Sequence, residues 1–431
     1  MIALAFIGLL VGVILLMFAF IGILYSLRGT PMKSVAAVGD RSGPPSVSDP
    51  LFLRTVGLFT GTMLVSGHRV ELLANGEELY PRLWDDLQSA TRSITLQMYY
   101  CRPGVMADTL ATILSERARA GVRVLFLHDA FGSIDLTKEY LDGLREAGVT
   151  IAVFRPVHWY SLHKAQSRSH IRVVVVDGRV GYTGGFGLDD KWFGDGRHAD
   201  QWRDTNVRFT GPAVLELQAT FAAGWVEATG TLIVGEEFFP LQNDDATGAQ
   251  VAGLLHAAPS IGSTSASRFL ALSITGARER LYITNSYFVP DRAFRALLIA
   301  AVRRGVDVRV LTAGKRTDVK TTRWAGRAVY GDLLAGGVRM YEYEPTMMHA
   351  KTFVVDGRWC TVGTMNFDNR SMVFNDESNL LVFDADVGSA LEEMFHADLT
   401  CSHEITLARY QKRPWTERLV ELGASMVARL L

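Results

Sequence analysis

Apolar positions along the chain follow three different patterns, each predicting a different kind of structure. From Ile2 to Leu27 no residue is charged, and the run is longer than the roughly 20 apolar residues that a bilayer-spanning helix needs, so a membrane anchor is expected over residues 2–27. A cleaved signal peptide would need a basic leader and an apolar stretch of only about 7–15 residues, and here only Met1 precedes the run. Residues 28–50 carry Pro31, Pro44, Pro45 and Pro50 among small polar residues, a linker composition. Beyond Leu51, β-rich runs alternate with Ala- and Arg-rich helical stretches, which predicts an α/β fold.

The third pattern is an internal repeat. SITLQMYYCRPG (93–104) resembles RLYITNSYFVPD (280–291), ARAGVRVLFL (118–127) resembles VRRGVDVRVL (302–311), and LREAGVTIAVFRP (144–156) resembles LLAGGVRMYEYEP (333–345). The second and third pairs share one device, a helix end, a glycine and an alternating strand. Partners keep their order with only small insertions, so two similar halves are expected, residues 51–235 and 236–403, each a mixed β-sheet flanked by helices. Packed as a pseudo-dimer, they would share one active site on the pseudo-two-fold axis. A tail over 404–431 places Trp415, Leu419, Leu422, Met426 and Leu430 near one helical face, suited to lie on anionic lipid or to pack on its own domain.

Charge narrows the partners. Lys and Arg number 44 against 45 Asp and Glu, a net charge of −1, which lacks the basic field of a dedicated binder of long nucleic acids. Cys101, Cys360 and Cys401 are odd in number and far apart, fitting neither a disulfide scaffold nor a zinc ribbon and matching a reducing compartment. Arg28, Lys33, Arg41 and Arg54 follow the apolar run, so the positive-inside rule places the body in the cytoplasm, on a single-pass protein of the inner membrane.

Each repeat then runs into a histidine ahead of a strand. The first reads His170-Ile171-Arg172 and then Asp177, with Gly184-Gly185-Phe186-Gly187 and Asp204 downstream; the second reads His349-Ala350-Lys351 and then Asp356, with Gly363-Thr364-Met365-Asn366 and Glu377 downstream. Positions i and i+2 of a strand share a face, so each imidazole gains a fixed cation beside it. That pairing suits phosphate: Arg172, Lys351 and Asn366 would hold phosphoryl oxygens, while one imidazole attacks phosphorus and the other protonates the leaving alcohol. Glu377 or Asp204 could accept the second ring proton of a histidine and fix its tautomer. No metal or cofactor is required.

At these residues the chain resembles the phospholipase D superfamily, whose HxKxxxxD signature occurs twice in its fused members, and within it the bacterial cardiolipin synthases of the phospholipase D type. MHAKTFVVDGRW, VGTMNFDNRS, WRDTNVRFTGPAV and Tyr287-Phe288-Val289-Pro290-Asp291 are similar to that family's runs. The resemblance extends from about Val70 to Leu431. It implies that His170 and His349 are the catalytic pair. His170 is then expected as nucleophile with Asp204 behind it, and His349 as its partner with Glu377. Asp177 and Asp356 match the motif's aspartates and look like local anchors. The implied reaction joins two phosphatidylglycerol molecules through a phosphohistidine, with membrane phospholipids as substrates; a phospholipase D hydrolase is the nearest alternative, then a nuclease or a non-catalytic scaffold. Arg172 stands where the family usually has Lys, and Gly187 where it usually has Asn. Arg172 is expected to fill space opened at Gly187, so that the two changes are coupled. Gln97 reads as a polar strand residue, His163-Lys164 as a loop pair, and His158-Trp159-Tyr160 and Trp192-Phe193 equally as a lipid-facing entrance or as core.

Overall fold

The computed structural model describes residues 2–26, 32–36, 44–156, 168–241, 248–259 and 263–427. His158, Trp159, Tyr160, His163, Lys164, Arg28, Arg41 and Leu430 lie outside them. The apolar run forms helix α1 (Ile2–Ser26), of 25 residues. Counting described residues only, no helix is long and apolar enough to cross a membrane; the side chains at 2–5, 7, 18 and 21–26 of α1 are outside that count.

The first half follows α2 (Pro50–Thr60) and consists of β1 (Val65–Ala74), α3 (Asn75–Ser89), β2 (Ser93–Met98), α4 (Val105–Arg119), β3 (Arg123–Asp129), α5 (Lys138–Glu146), β4 (Thr150–Phe154), β5 (Val173–Val176), β6 (Val180–Gly184), β7 (Trp202–Arg203), β8 (Thr205–Thr210) and α6 (Ala213–Thr229). The second repeats it as β9 (Gln250–Ala257), α7 (Ser265–Gly276), β10 (Arg280–Asn285), α8 (Arg292–Arg303), β11 (Asp307–Ala313), α9 (Lys320–Ala335), β12 (Arg339–Tyr343), β13 (Met347–Met348), β14 (Lys351–Val355), β15 (Trp359–Gly363), α10 (Asn369–Val373), β16 (Glu377–Phe383) and α11 (Ala385–Thr400). β17 (Ser402–Ile405), α12 (Leu407–Gln411) and α13 (Trp415–Val427) complete the described residues.

In each half three parallel strands, β2-β3-β4 and β10-β11-β12, continue into antiparallel ones. The halves do not stay separate sheets. β1 and β9 pair antiparallel across the pseudo-two-fold axis and join the two halves into one 15-stranded sheet, while β7 and β13 form a separate two-stranded ribbon. The strands beside the motifs are buried on both faces, as Val173 to Val176 show, which explains their unbroken Val runs. One apolar cluster lies under α3 and α4 and another under α7, α8 and α9. A third, under α6 and α11, is shared by both halves and joins Phe221 and Trp225 to Leu391 and Phe395.

The chain termini depart from the expected boundaries. α2 precedes the first half in sequence but packs on the second, where Phe52 meets Trp359 edge-on at 5.4 Å. Val47 is buried, and Met32 and Val35 pack on the same core, so the linker is docked in part rather than a free spacer. β17 extends the sheet antiparallel to β12, and α13 lies on α9 through buried Glu421, which meets Arg327 and Arg413 at 3.1 and 2.8 Å. The packing reading of the tail therefore holds for one face of α13, while Trp415, Leu419, Leu422 and Met426 stay exposed.

Candidate active site

Both motif histidines lie where the halves meet, and they are nearly buried, His170 at 8% and His349 at 5% exposure. The backbone brings each histidine to the carboxylate of the other half. His170 N–H donates to Asp376 O at 3.0 Å, and His349 N–H donates to Arg203 O at 2.7 Å. The second contact continues the two-stranded ribbon of β7 and β13, and the first lies beside the bridge between Ser169 and Asp376. The next residues are Glu377 and Asp204. Consequently His170 Nδ1 sits 3.0 Å from Glu377 Oε2, and His349 Nδ1 sits 2.9 Å from Asp204 Oδ2. The expected pairing of His170 with Asp204 and His349 with Glu377 is corrected: the dyads are crossed. Crossing follows from the site being built on the pseudo-two-fold axis, where the strand end facing each histidine belongs to the other half.

Arg172 and Lys351 point back along their own strands. Arg172 donates through Nη1 to His170 O at 2.8 Å and through Nε to Phe186 O at 3.1 Å. Lys351 donates to His349 O and, at 2.7 Å, to Ser286 Oγ. Burial, reinforced by the charges of Arg172, Lys351 and His349, holds His170 well below the ordinary imidazole value. Burial with Lys351 pulls His349 down to about 4, against the opposing pull of Asp204, and burial brings Lys351 down to about 7. Burial and the neighbouring cations thus favour the neutral form of both imidazoles. Burial also drives Glu377 upward, opposed by the hydroxyls of Ser371 and Thr364. For Asp204 burial acts in the same sense, but the charge and hydrogen bond of His349, with Lys351 and Trp192, outweigh it and leave the carboxyl low.

Asp177 and Asp356 do not join this site. Asp177 accepts from the N–H groups of Thr91, Arg92 and Ser93, and Asp356 from those of Arg278, Glu279 and Arg280. Each sits at positive φ, 53° and 49°, and ties the turn after its histidine strand to the start of β2 or β10. They act as turn anchors and not as reacting groups. Asn366 lines a small cavity together with Lys351, and its Oδ1 is buried and unpartnered. Among the described residues no cluster of His, Cys, Asp or Glu is arranged to hold a metal ion.

The space beside Gly187 is filled by Trp192 and not by Arg172. A Cβ at Gly187 would lie 2.8 Å from Trp192 Cη2, so the expected coupling of Arg172 with Gly187 is also corrected. Trp192 is buried and its ring edge meets His349 at 5.3 Å, whereas Phe193 is partly exposed. Gln97 donates to Ser169 Oγ at 2.7 Å, which places it behind the first histidine. Tyr99, Trp202 and Ser286 lie within the runs quoted from the sequence but were given no role there. Tyr99 meets His170 edge-on at 5.3 Å and Trp202 meets His349 at 4.9 Å. Aligning the repeat residue by residue would have exposed Tyr99 and Ser286, which hold equivalent positions after β2 and β10.

Two fused α/β lobes that exchange carboxylates behind a shared histidine pair define the phospholipase D class of enzyme. A family model described as "Cardiolipin synthase, PLD-like domain" matches residues 83–225 and 270–399. The chain is 34% identical over 361 residues to a cardiolipin synthase of Geobacillus sp. (strain WCH70), covering 84% of this chain and 72% of that protein. It is 35% identical over 371 residues to cardiolipin synthase A of Pseudomonas syringae pv. syringae (strain B728a), covering 85% and 75%. The fold matches that of phosphatidylserine synthase from Haemophilus influenzae, with a TM-score of 0.66 at 11% identity over 88% of this chain and 99% of that one. The chain belongs to the cardiolipin synthase family with PLD-like domains.

Proposed function

We propose that the protein is a membrane-anchored phosphatidyltransferase that makes cardiolipin and glycerol from two phosphatidylglycerol molecules. The observation that carries this reading is the pair of crossed dyads with a cation two residues beyond each histidine. His170 Nε2 attacks phosphorus, forming a P–N bond, while the P–O bond to glycerol breaks and His349 gives that oxygen its proton. The glycerol hydroxyl of a second lipid then returns a proton to His349 and displaces His170, leaving both histidines as they began. Arg172, Lys351 and Asn366 hold the phosphoryl oxygens, and Glu377 and Asp204 keep each Nδ1–H in place. Turnover of labelled phosphatidylglycerol by the purified full chain in mixed micelles should yield cardiolipin and glycerol in equal amounts. Phosphatidic acid as the product would make the enzyme a hydrolase, and cleavage of single-stranded DNA in place of lipid would make it a nuclease.

The membrane enters the reading twice. α1 has 25 uncharged residues, about 37 Å at the helical rise per residue against about 30 Å of hydrocarbon, and the basic flank with Lys33 and Arg54 favours a body on the cytoplasmic side of the inner membrane. α13 supplies a second contact: its exposed Trp415, Leu419, Leu422 and Met426 lie beside exposed Lys412 and Arg418, a composition suited to the anionic headgroup layer. Replacing Trp415 by Ser and Leu419 and Met426 by Gln should lower turnover in phosphatidylglycerol vesicles about tenfold, the worth of roughly one buried apolar side chain. Turnover of a short-chain phosphatidylglycerol below its micelle concentration should be unaffected. Equal effects on both substrates would remove the membrane contact from α13.

A further inference from the structure

The two carboxylates behind the histidines are held by different chemistry. Glu377 is served by hydroxyls: Thr364 donates to it, and so does Ser371, whose Oγ also accepts from Asn366 N–H at 3.1 Å. In the first half neither hydroxyl exists. Gly185 stands in the place of Thr364, where a Cβ would fall 2.3 Å from Asp204 Oδ1, and Trp192 stands in the place of Ser371, five residues beyond Gly187 as Ser371 is beyond Asn366. Trp192 Nε1–H donates to Asp204 Oδ2 at 2.9 Å, the oxygen that also takes His349, while Thr205 N–H donates to Oδ1 at 2.8 Å. A hydroxyl can donate or accept and so tolerates either protonation state of its partner; an indole or amide N–H only donates. The shell of Glu377 fits an acid or an anion, whereas the shell of Asp204 fits the anion alone.

We propose that Trp192 is a positioning residue for the proton-transferring side of the reaction: its indole N–H keeps Asp204 an anion and sets how tightly His349 holds its proton, and Gly187 is the space kept open for the ring. The proposal rests on the transferase reading above and deepens it. An anionic Asp204 stabilises the imidazolium that forms each time His349 carries a proton, which is the acid and base role. The charged and titratable groups facing His349 are Asp204, Lys351, Arg172 and His170; Trp192 donates to the first and also meets the His349 ring edge-on at 5.3 Å.

Trp192→Phe keeps a ring and removes the donor. Asp204, with one donor fewer, then pulls harder on the His349 proton, so His349 becomes the weaker acid. The expected result in the full chain is a kcat lowered roughly tenfold, the lower end for outer groups that orient a reacting ligand, with KM within about twofold and the basic limb of the kcat–pH profile moved to higher pH. A second arm transplants the other half's arrangement: Gly187→Asn alone should fail because the side chain meets the indole, and adding Trp192→Ser should restore turnover. Trp192→Phe with unchanged kcat and an unmoved basic limb overturns the proposal, as does a double variant no better than Gly187→Asn alone. Wild-type product analysis separates this from the transferase reading: phosphatidic acid in place of cardiolipin sinks the latter, while the displaced limb still tests Trp192.

Discussion

His170→Ala and His349→Ala should each lower cardiolipin formation by at least about three powers of ten, the scale on which a nucleophile or its proton partner fails when either is removed alone. In the proposed mechanism both rings serve one phosphorus, and each is held at Nδ1 by a carboxylate of the other half, so neither half has a complete site without the other. The two variants should nevertheless fail differently. A phosphodiester with a nitrophenolate leaving group needs no proton to depart. Given such a substrate labelled in its phosphatidyl group, His349→Ala should accumulate label on His170, whereas His170→Ala should trap none. Label trapped only in His170→Ala would exchange the two roles, and near-wild-type turnover in either variant would overturn the two-histidine mechanism.

The repeat was legible because each copy of the helix-glycine-strand pattern is local, and the histidines and cations were legible because HxR and HxK state their own geometry on a strand. The crossing of the dyads was not. Asp204 and Glu377 follow their own half's histidine at similar distances, and only the exchange of strand ends, His170 onto Asp376 and His349 onto Arg203, decides which carboxylate each ring meets. Asp177 and Asp356 were legible as anchors but not what they anchor: their positive φ turns them toward the amides at the start of β2 and β10, which spacing does not record. α2 misled the domain boundary for a related cause: amphipathic helices carry no address for the face they will cover, and Phe52 and Val56 are satisfied by the far half. Gly187 read as space for Arg172 when it is a vacancy filled by Trp192.

Arg172→Ala should lose at least about two powers of ten in kcat, the worth of one preorganised cationic contact to a developing charge. Arg172→Lys is the more informative change, because the second half already shows what a lysine needs there. Lys351 is buried and answers two acceptors, His349 O and Ser286 Oγ. A lysine at 172 can reach His170 O in the same way, but Tyr99 occupies the position equivalent to Ser286, and Arg172 packs over its ring at 5.7 Å. The guanidinium lies against that ring and uses Phe186 O as its second acceptor, whereas an ammonium would be left buried with one partner, a costly state. Arg172→Lys alone should therefore fall roughly tenfold, one lost charge-assisted hydrogen bond, and Tyr99→Ser added to it should recover turnover, a positive coupling in a double-mutant cycle. The coupled residues of the first motif are then Arg172 with Tyr99 and Gly187 with Trp192, two separate retunings, one beside His170 and one beside His349. Additive effects of Arg172→Lys and Tyr99→Ser would show that the arginine does not depend on the ring, and the exchange of lysine for arginine would then have no structural partner.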